Sequence, residues 1–207
     1  MKAVTELNHP LIRQDMGIMR NKDSSPALFR QALKRITYQL FIEATRNLAT
    51  KDLAVETPLA VTKEKRVVGD IWLIPVLRAG LGMVEACWDI YPEARVGVIG
   101  LYRDEETLNP QSYYQNLPTF KALDTCFIVD PMLATGGSAN AAIDFVKQKG
   151  AQTISLLALI SAPEGIRALH TAHPDVRLYS AAIDDHLNQV GYILPGLGDA
   201  GDRIFGS

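Results

Sequence analysis

Apolar residues are distributed along this chain in two alternating patterns. Short continuous runs at 71–76, 96–99, 126–129 and 154–160 have the length and composition of strands buried on both faces. A further short run lies at 59–61. Segments 81–91, 139–149 and 163–172 separate several of these runs and carry apolar residues at helical spacing; in the second, Ala142, Ile143 and Val146 share one face. Upstream, Phe29, Leu33, Ile36, Leu40, Ala44 and Leu48 repeat at the same spacing. Ser25 and Pro26 supply an N-cap followed by proline at the first helical position, so a long amphipathic helix is expected to about Ala49. Buried strands alternating with helices predict an α/β fold with a mainly parallel central sheet flanked by helices. The 207 residues suit one such domain, 1–207, and no repeat or linker marks a second. Ligands of these sheets gather outside the carboxyl ends of the strands, which directs attention to the segments after each run.

The segment after 126–129 is the most informative: Asp130, Pro131, Met132, Leu133, Ala134, Thr135, Gly136, Gly137 and Ser138, followed by a helical pattern. Strand, glycine-containing turn and helix start form a cradle for an anion, because the first N–H groups of a helix are unpaired and partly positive. Gly136 and Gly137 allow the backbone close to a phosphate, and Thr135 and Ser138 add hydroxyl donors. Asp130 is an acceptor placed to suit sugar hydroxyls or a hydrated metal ion, so a phosphorylated sugar fits better than bare phosphate. This turn is neither a Walker A loop nor Gly-x-Gly-x-x-Gly, which argues against nucleotide hydrolysis and dinucleotide binding there. Taken alone, the turn is equally well read as a plain N-cap.

Three more segments follow predicted strands or close the chain. In 75–82, Arg78 sits among small residues at a strand-to-helix turn and can offer its guanidinium to a polyphosphate. In 100–107, Arg103 stands at the root of a polar loop reaching Pro118, long enough to be a lid or an arm, and 104–106 is an acidic solvated run. The tail 191–203 is glycine-rich yet carries Tyr192, Ile193, Leu194 and Leu197, which favours an ordered loop able to line a small planar ligand.

Composition narrows the classes. Net charge is −2 with 47% hydrophobic and 21% charged residues, which gives no general pull toward nucleic acid or anionic membrane. The apolar run 154–160 is too short to span a bilayer, and the opening residues do not read as a signal peptide. Cys87 and Cys126 fall in apolar elements without metal-ligand spacing and are expected as buried free thiols in a reducing cytoplasm. His9, His170, His173 and His186 do not form a metal-site pattern; surface or cap roles are expected.

Together these segments resemble the uracil phosphoribosyltransferases, within the type I phosphoribosyltransferase superfamily. The resemblance runs from His9-Pro10-Leu11, through Glu43-Ala44-Thr45-Arg46, to Phe205-Gly206-Ser207. Residues 130–138 match the superfamily's loop for phosphoribosyl pyrophosphate (PRPP). Many relatives have two adjacent acids where this chain, like the uracil enzymes, has Asp130-Pro131, and 191–203 is similar to the uracil-binding flap of those enzymes. The resemblance implies a type I phosphoribosyltransferase fold with a C-terminal base-binding flap, and the reaction of uracil with PRPP to UMP and pyrophosphate, a pyrimidine salvage step. It implies Arg78 and Arg103 on the pyrophosphate side, Asp130 on the ribose hydroxyls, and Ala134, Thr135, Gly136, Gly137 and Ser138 on the 5′-phosphate. It further implies Ile193, Gly198, Asp199 and Ala200 at uracil, with Asp199 also reaching PRPP; Asp199 and Arg78 are the candidate catalytic residues. Mg²⁺ is the implied cofactor, carried mainly by substrate phosphates and waters, with its direct protein ligands open. A homodimer or higher homo-oligomer in the cytoplasm is implied, with the long helix and the loop after Arg103 as contact surfaces. Some bacterial members respond to GTP, and no motif decides that point here. The alternative is a pyrimidine-sensing RNA-binding regulator on the same fold, against which the basic residues stand scattered among acids, as in 63–66.

Overall fold

The computed structural model describes residues 4–103 and 110–207. In chain order the first half contains β1 (Val4–Glu6), α1 (Pro10–Arg20), α2 (Pro26–Thr45), β2 (Thr50–Glu56), β3 (Val61–Val67), β4 (Ile71–Leu77) and α3 (Leu81–Ile90). β5 (Arg95–Val96), β6 (Val98–Arg103), β7 (Pro110–Asn116), β8 (Thr125–Val129), β9 (Met132–Leu133) and α4 (Gly137–Gln148) follow. The chain closes with β10 (Thr153–Ser161), α5 (Pro163–Ala172), β11 (Arg177–Ile183), β12 (His186–Leu187), β13 (Ile193–Leu194) and α6 (Ala200–Phe205).

The central sheet runs β1-β11-β10-β8-β4-β6-β7, with β5 added to β4 and β9 to β10. Every pairing is parallel except β6 with β7. Side chains along the buried strands alternate between two cores. Leu73, Phe127, Val129, Leu157 and Leu159 face the core built with α1, α2, α3 and α6, whereas Ile74, Val76, Ile128, Leu156 and Ala158 face the core built with α4 and α5. Phe41 of α2 meets Phe127 edge-on, ring centroids 5.4 Å apart. Burying a side chain of this size removes apolar area worth about 2–3 kcal/mol.

The continuous apolar runs mark the central strands, as expected, while several peripheral elements depart from the pattern. The run at 59–61 is no core strand. It caps an antiparallel hairpin, β2 with β3, that pairs with no other strand among the described residues and leaves Leu59 96% and Val61 72% exposed. β11 escapes a hydrophobic-run reading because it buries polar groups in matched pairs: Ser180 and Ser161 hydroxyls lie 2.9 Å apart, and Ser180 also donates to the Ala182 carbonyl at 2.8 Å. α1 buries Asp15 among Ile12, Met16 and Met19, and Arg35 of α2 satisfies that carboxylate from Nε at 3.0 Å and Nη2 at 2.6 Å. The long helix ends at Thr45 rather than Ala49; its hydroxyl donates back to the Phe41 carbonyl at 2.7 Å.

The tail is ordered. Arg20 donates from Nη1 to Asp184 Oδ2 at 2.8 Å and to the Gly196 carbonyl at 2.8 Å, and the Gly196 N–H donates to the same Asp184 oxygen at 2.9 Å. Arg203 of α6 stacks 4.6 Å over the Phe29 ring and donates to the Leu197 and Asn21 carbonyls at 2.9 and 2.6 Å, and to that of Met19. Two arginines thus tie the last turns of chain to α1 and α2. Asp184→Asn would leave Arg20 partly buried without its counter-charge, at an expected cost of about 2–4 kcal/mol. Urea unfolding at neutral pH checks this; a loss below about 0.5 kcal/mol, the size of an ordinary surface change, would show that the network does not hold the tail.

Candidate active site

Two glycines and a strand end bring the loops together. The backbone after β4 turns through Arg78, with the Leu77–Arg78 peptide cis, and reaches Gly80, whose N–H donates to the Val76 carbonyl at 2.9 Å. A β-carbon on Gly80 would lie 2.3 Å from the Val129 carbonyl oxygen, so this turn is packed directly on the end of β8. From Val129 the chain enters Asp130 and Pro131. The Asp130 N–H donates to Leu157 at 3.2 Å, and the Pro131 carbonyl accepts from Leu159 and Ile160 at 2.9 and 3.1 Å. The short strand β9 then extends this docking along β10. The first half of the candidate phosphate loop is therefore fixed as an extra rung of sheet.

The second half opens α4. Gly136 is its N-cap at φ +87, a left-handed conformation that favours glycine, and no side chain caps the helix start. The Thr135 hydroxyl accepts from the Gly137 N–H at 3.4 Å, and both Thr135 and Ser138 are exposed. The first N–H groups of α4, two exposed hydroxyls and the positive end of the helix dipole thus meet at one point, the arrangement that suits an anion.

A cavity of about 270 Å³ at the carboxyl ends of β4 and β8 is lined by Arg78, Asp130, Met132, Ser138, Asp199 and Ala200. Leu101 of β6 and Gly201 of α6 also reach it. The tail arrives through Leu194–Pro195, a cis peptide, and Gly198 at φ +80, and Asp199 caps α6 by accepting from the Asp202 N–H at 2.8 Å. Ile193 is buried beneath the flap, paired with Leu187, and does not line the cavity. Pro131 and Leu133 are buried behind the phosphate loop. Arg103 ends β6, but its side chain and residues 104–109, including the acidic run, lie outside the described residues. A larger groove of about 590 Å³ lies against Lys51, Arg66 and Lys121 at the opposite, amino-terminal ends of the strands. Ligands of parallel sheets bind at the carboxyl ends, so the smaller cavity is the candidate.

Two of its polar groups have distinctive surroundings. Asp130 sits on the cavity floor, and burial pushes its carboxyl up to about 7, opposed by the Met132 N–H that donates to Oδ1 at 3.4 Å. Arg78 is exposed; its Nη2 donates to Asp202 Oδ1 at 3.3 Å, and its guanidinium lies 5.9 Å from the centroid of the Phe205 ring. Sequence reading does not find Asp202 and Phe205 as neighbours of Arg78. The available signal is an acid three residues after the N-cap Asp199, which marks the helix start but not its partner. No cluster of three metal-ligating side chains occurs among the described residues. His9 caps α1, with Nδ1 accepting from the Leu11 N–H at 3.2 Å, and His173 closes the end of α5 with its ring buried. Cys87 and Cys126 are free and buried, their thiols pushed up to about 12 by burial.

Comparison with known proteins shows the family and the fold. The family model described as uracil phosphoribosyltransferase matches residues 6–207. Proteins described as uracil phosphoribosyltransferase from Latilactobacillus sakei and Symbiobacterium thermophilum are each 50% identical over 208 residues, covering 100% of both chains. One from Streptococcus pneumoniae is 47% identical over the same span. A solved Aquifex aeolicus protein superposes with TM-score 0.92 at 34% identity, covering 98% of this chain and 97% of its own. A hypoxanthine phosphoribosyltransferase from Trypanosoma cruzi shares the fold at TM-score 0.52 and 14% identity, over 76% of each chain. With the family model spanning nearly its whole length and half its residues shared with full-length relatives, this chain belongs to the uracil phosphoribosyltransferase family, the pentosyltransferases of pyrimidine salvage on the type I phosphoribosyltransferase fold.

Proposed function

We propose that the cavity at the carboxyl ends of β4 and β8 binds PRPP and uracil and joins them into UMP with release of pyrophosphate. The observation that carries this placement is the convergence of Arg78, Asp130, Ser138 and Asp199, from three segments of the chain, on one small cavity at the start of α4. The 5′-phosphate lies on Ala134, Thr135, Gly136, Gly137 and Ser138; the ribose hydroxyls lie on Asp130; the pyrophosphate lies against Arg78, with Arg103 closing from the root of its loop. Uracil is read by the backbone around Gly198, Asp199 and Ala200, with Ile193 buried behind that segment as its support. Its N3–H lies between two carbonyls, and a fixed loop can match that pattern while leaving cytosine with unpaired groups.

As uracil N1 bonds to the anomeric carbon and passes its proton to water, the bond from that carbon to the pyrophosphate oxygen breaks, through a sugar with oxocarbenium character. Negative charge grows on the leaving pyrophosphate, where Arg78 and Arg103 stabilise it. Asp199, a carboxylate on the cavity wall, stabilises the positive sugar. Mg²⁺ fits this donor set as an ion borne by the substrate, because the wall offers separate carboxylates rather than a three-ligand cage. When bound, it would supply positive charge that stabilises the leaving group. Family membership decides for this enzyme over an RNA-binding regulator. GTP as an activator belongs to the same proposal, supported by the groove at the far end of the sheet, where Lys51 and Arg66 face each other directly across the hairpin. A cytoplasmic setting is supported by the two free buried cysteines.

Homo-oligomer formation is supported by the β2–β3 hairpin, which the sequence does not single out and which exposes Leu53, Leu59 and Val61. Leu59→Asp with Val61→Asp is expected to shift the mass measured by light scattering toward the monomer; an unchanged mass would move the contact elsewhere.

Pyrophosphate release with PRPP and Mg²⁺, assayed separately with uracil, cytosine, hypoxanthine and adenine, with and without GTP, tests the reaction. Turnover is expected with uracil alone. Asp199→Asn is expected to lower kcat by about 100-fold, the usual scale for one transition-state group; weakened binding with unchanged turnover would refute its role.

Asp130 gives a pH signature in the ligand-free protein. Its folded-state pKa lies above that of the unfolded chain, so the native state binds the extra proton and stability falls as pH rises from about 4 to about 7. Asp130→Asn is therefore expected to match the parent in stability near pH 4 and exceed it at pH 8.5. A full shift of that size corresponds to about 4 kcal/mol, and water in the open cavity screens it to roughly 1–2 kcal/mol. Denaturant unfolding at the two pH values checks the sign; equal stabilities at pH 8.5 would place the carboxylate in a solvated site.

A further inference from the structure

The first turn of α5 stands between the two halves of the substrate site. Gly165 faces the phosphate loop: a β-carbon there would lie 2.4 Å from the Ala134 carbonyl oxygen and 2.8 Å from that of Leu133. The helix backbone therefore rests on the loop with no room for a side chain. The Ala162 N–H donates to the Leu133 carbonyl at 2.9 Å and fastens the helix start to the same loop. One turn further on, a β-carbon on Gly136 would lie 3.0 Å from the Ala168 methyl. Asn140 of α4 donates from Nδ2 to the Ala168 carbonyl at 3.4 Å. The whole phosphate-loop turn is thus seated on one face of α5.

Glu164, the residue beside Gly165, faces the other half. Its Oε1 accepts from the Leu187 N–H at 3.4 Å, and Oε2 is buried rather than solvated. The carboxyl is held below the usual range, first by its own N–H at the helix start and then by the Leu187 N–H, with Arg167 and His186 adding positive charge. Leu187 lies directly opposite Ile193 in the β12–β13 hairpin, which runs on through Gly196 to Gly198 and Asp199. Two consecutive residues of one helical turn therefore touch the phosphate loop and the base flap respectively.

In a nucleotide the distance from 5′-phosphate to base is set by the ribose and varies little. Two subsites that bind its ends must be held at that distance, or each can be filled only at the expense of the other. We propose that Glu164 and Gly165 are positioning residues that set the separation between the phosphate loop and the base flap, and so select a ligand of nucleoside-monophosphate length. This rests on the substrate placement proposed above.

Calorimetric titration of UMP, uracil and ribose 5-phosphate separates spacing from simple damage, because only UMP spans both subsites. Gly165→Ala must push the loop outward. UMP affinity is expected to fall at least about tenfold, while uracil and ribose 5-phosphate each stay within about threefold, a displacement of the kind that costs far more in a spanning ligand than in its parts. Glu164→Ala is expected to show the same selective loss, and Glu164→Gln, which keeps an acceptor for the Leu187 N–H, to recover most of it. Equal losses for ribose 5-phosphate and UMP would overturn the spacer and leave Gly165 a local packing residue. Should Gly165→Ala fold poorly, Glu164→Ala decides: unchanged UMP affinity there overturns the proposal. Failure of the unsubstituted protein to bind UMP would overturn the substrate placement itself, and the spacer with it.

Discussion

The close approach of Gly80 to the end of β8 is the constraint on which the rest of the site depends. A β-carbon at Gly80 would stand 2.3 Å from the Val129 carbonyl and 2.7 Å from that of Val76, so the turn after β4 can lie flat on β8 only because residue 80 has none. That contact places Arg78 beside Asp130, since each residue stands two positions or fewer from a member of the contact. Parallel pairing of β4 with β8, five residues in register from Ile71↔Thr125 to Pro75↔Val129, fixes both strand ends before either loop begins. The same logic continues across the sheet. β10 outlasts β8 and receives Pro131 and β9 as added rungs, which hold the phosphate loop against a strand rather than leaving it to its own turn.

The hydrophobic pattern made the centre of the fold readable because strands covered on both faces need apolar residues at every position. The 71–76, 126–129 and 154–160 runs satisfy this, and the structure places all three side by side. Elements with other ways of satisfying their polar groups were not readable. β11 hides a serine by pairing it with Ser161 on the neighbouring strand, and α1 hides Asp15 by pairing it with Arg35 of the next helix. Neither partner is visible along the sequence. The 59–61 run misleads for the opposite reason: its apolar residues crown an exposed hairpin and belong to no core.

The site divides in the same way. The shape of the candidate phosphate loop was legible because glycine, hydroxyls and a helix start are local features, and local features survive in one dimension. Asp130 was legible as a polar residue at a strand end, but the pressure on its carboxyl was not, because that depends on which neighbours close over it. Asp202 and Phe205 were unreadable as partners of Arg78, being more than a hundred residues away in the chain. Gly165 carried no local signal either; a glycine inside a helical pattern gains its meaning only from the Ala134 carbonyl that it faces.

The ion pairs around the cavity differ in strength, and the difference follows what each must do. Arg20 and Asp184 form a hydrogen-bonded pair whose side chains are 26% and 3% exposed, sharing their bonds with the backbone of Gly196. Such a pair resists exchange with water, because separating it would strand a buried carboxylate. Arg78 and Asp202 are 61% and 53% exposed and meet at a single 3.3 Å contact, a surface pair that contributes little to stability. On the placement proposed above, the flap reads a base through its backbone and has to keep its shape whether or not the base is present, which the buried pair supplies. On the same proposal, Arg78 takes hold of an incoming pyrophosphate and has to leave its resting partner at small cost, and a solvated carboxylate lets it go. Placing the strong pair under the flap and the weak pair at the cavity mouth gives one site both a fixed template and an exchangeable charge.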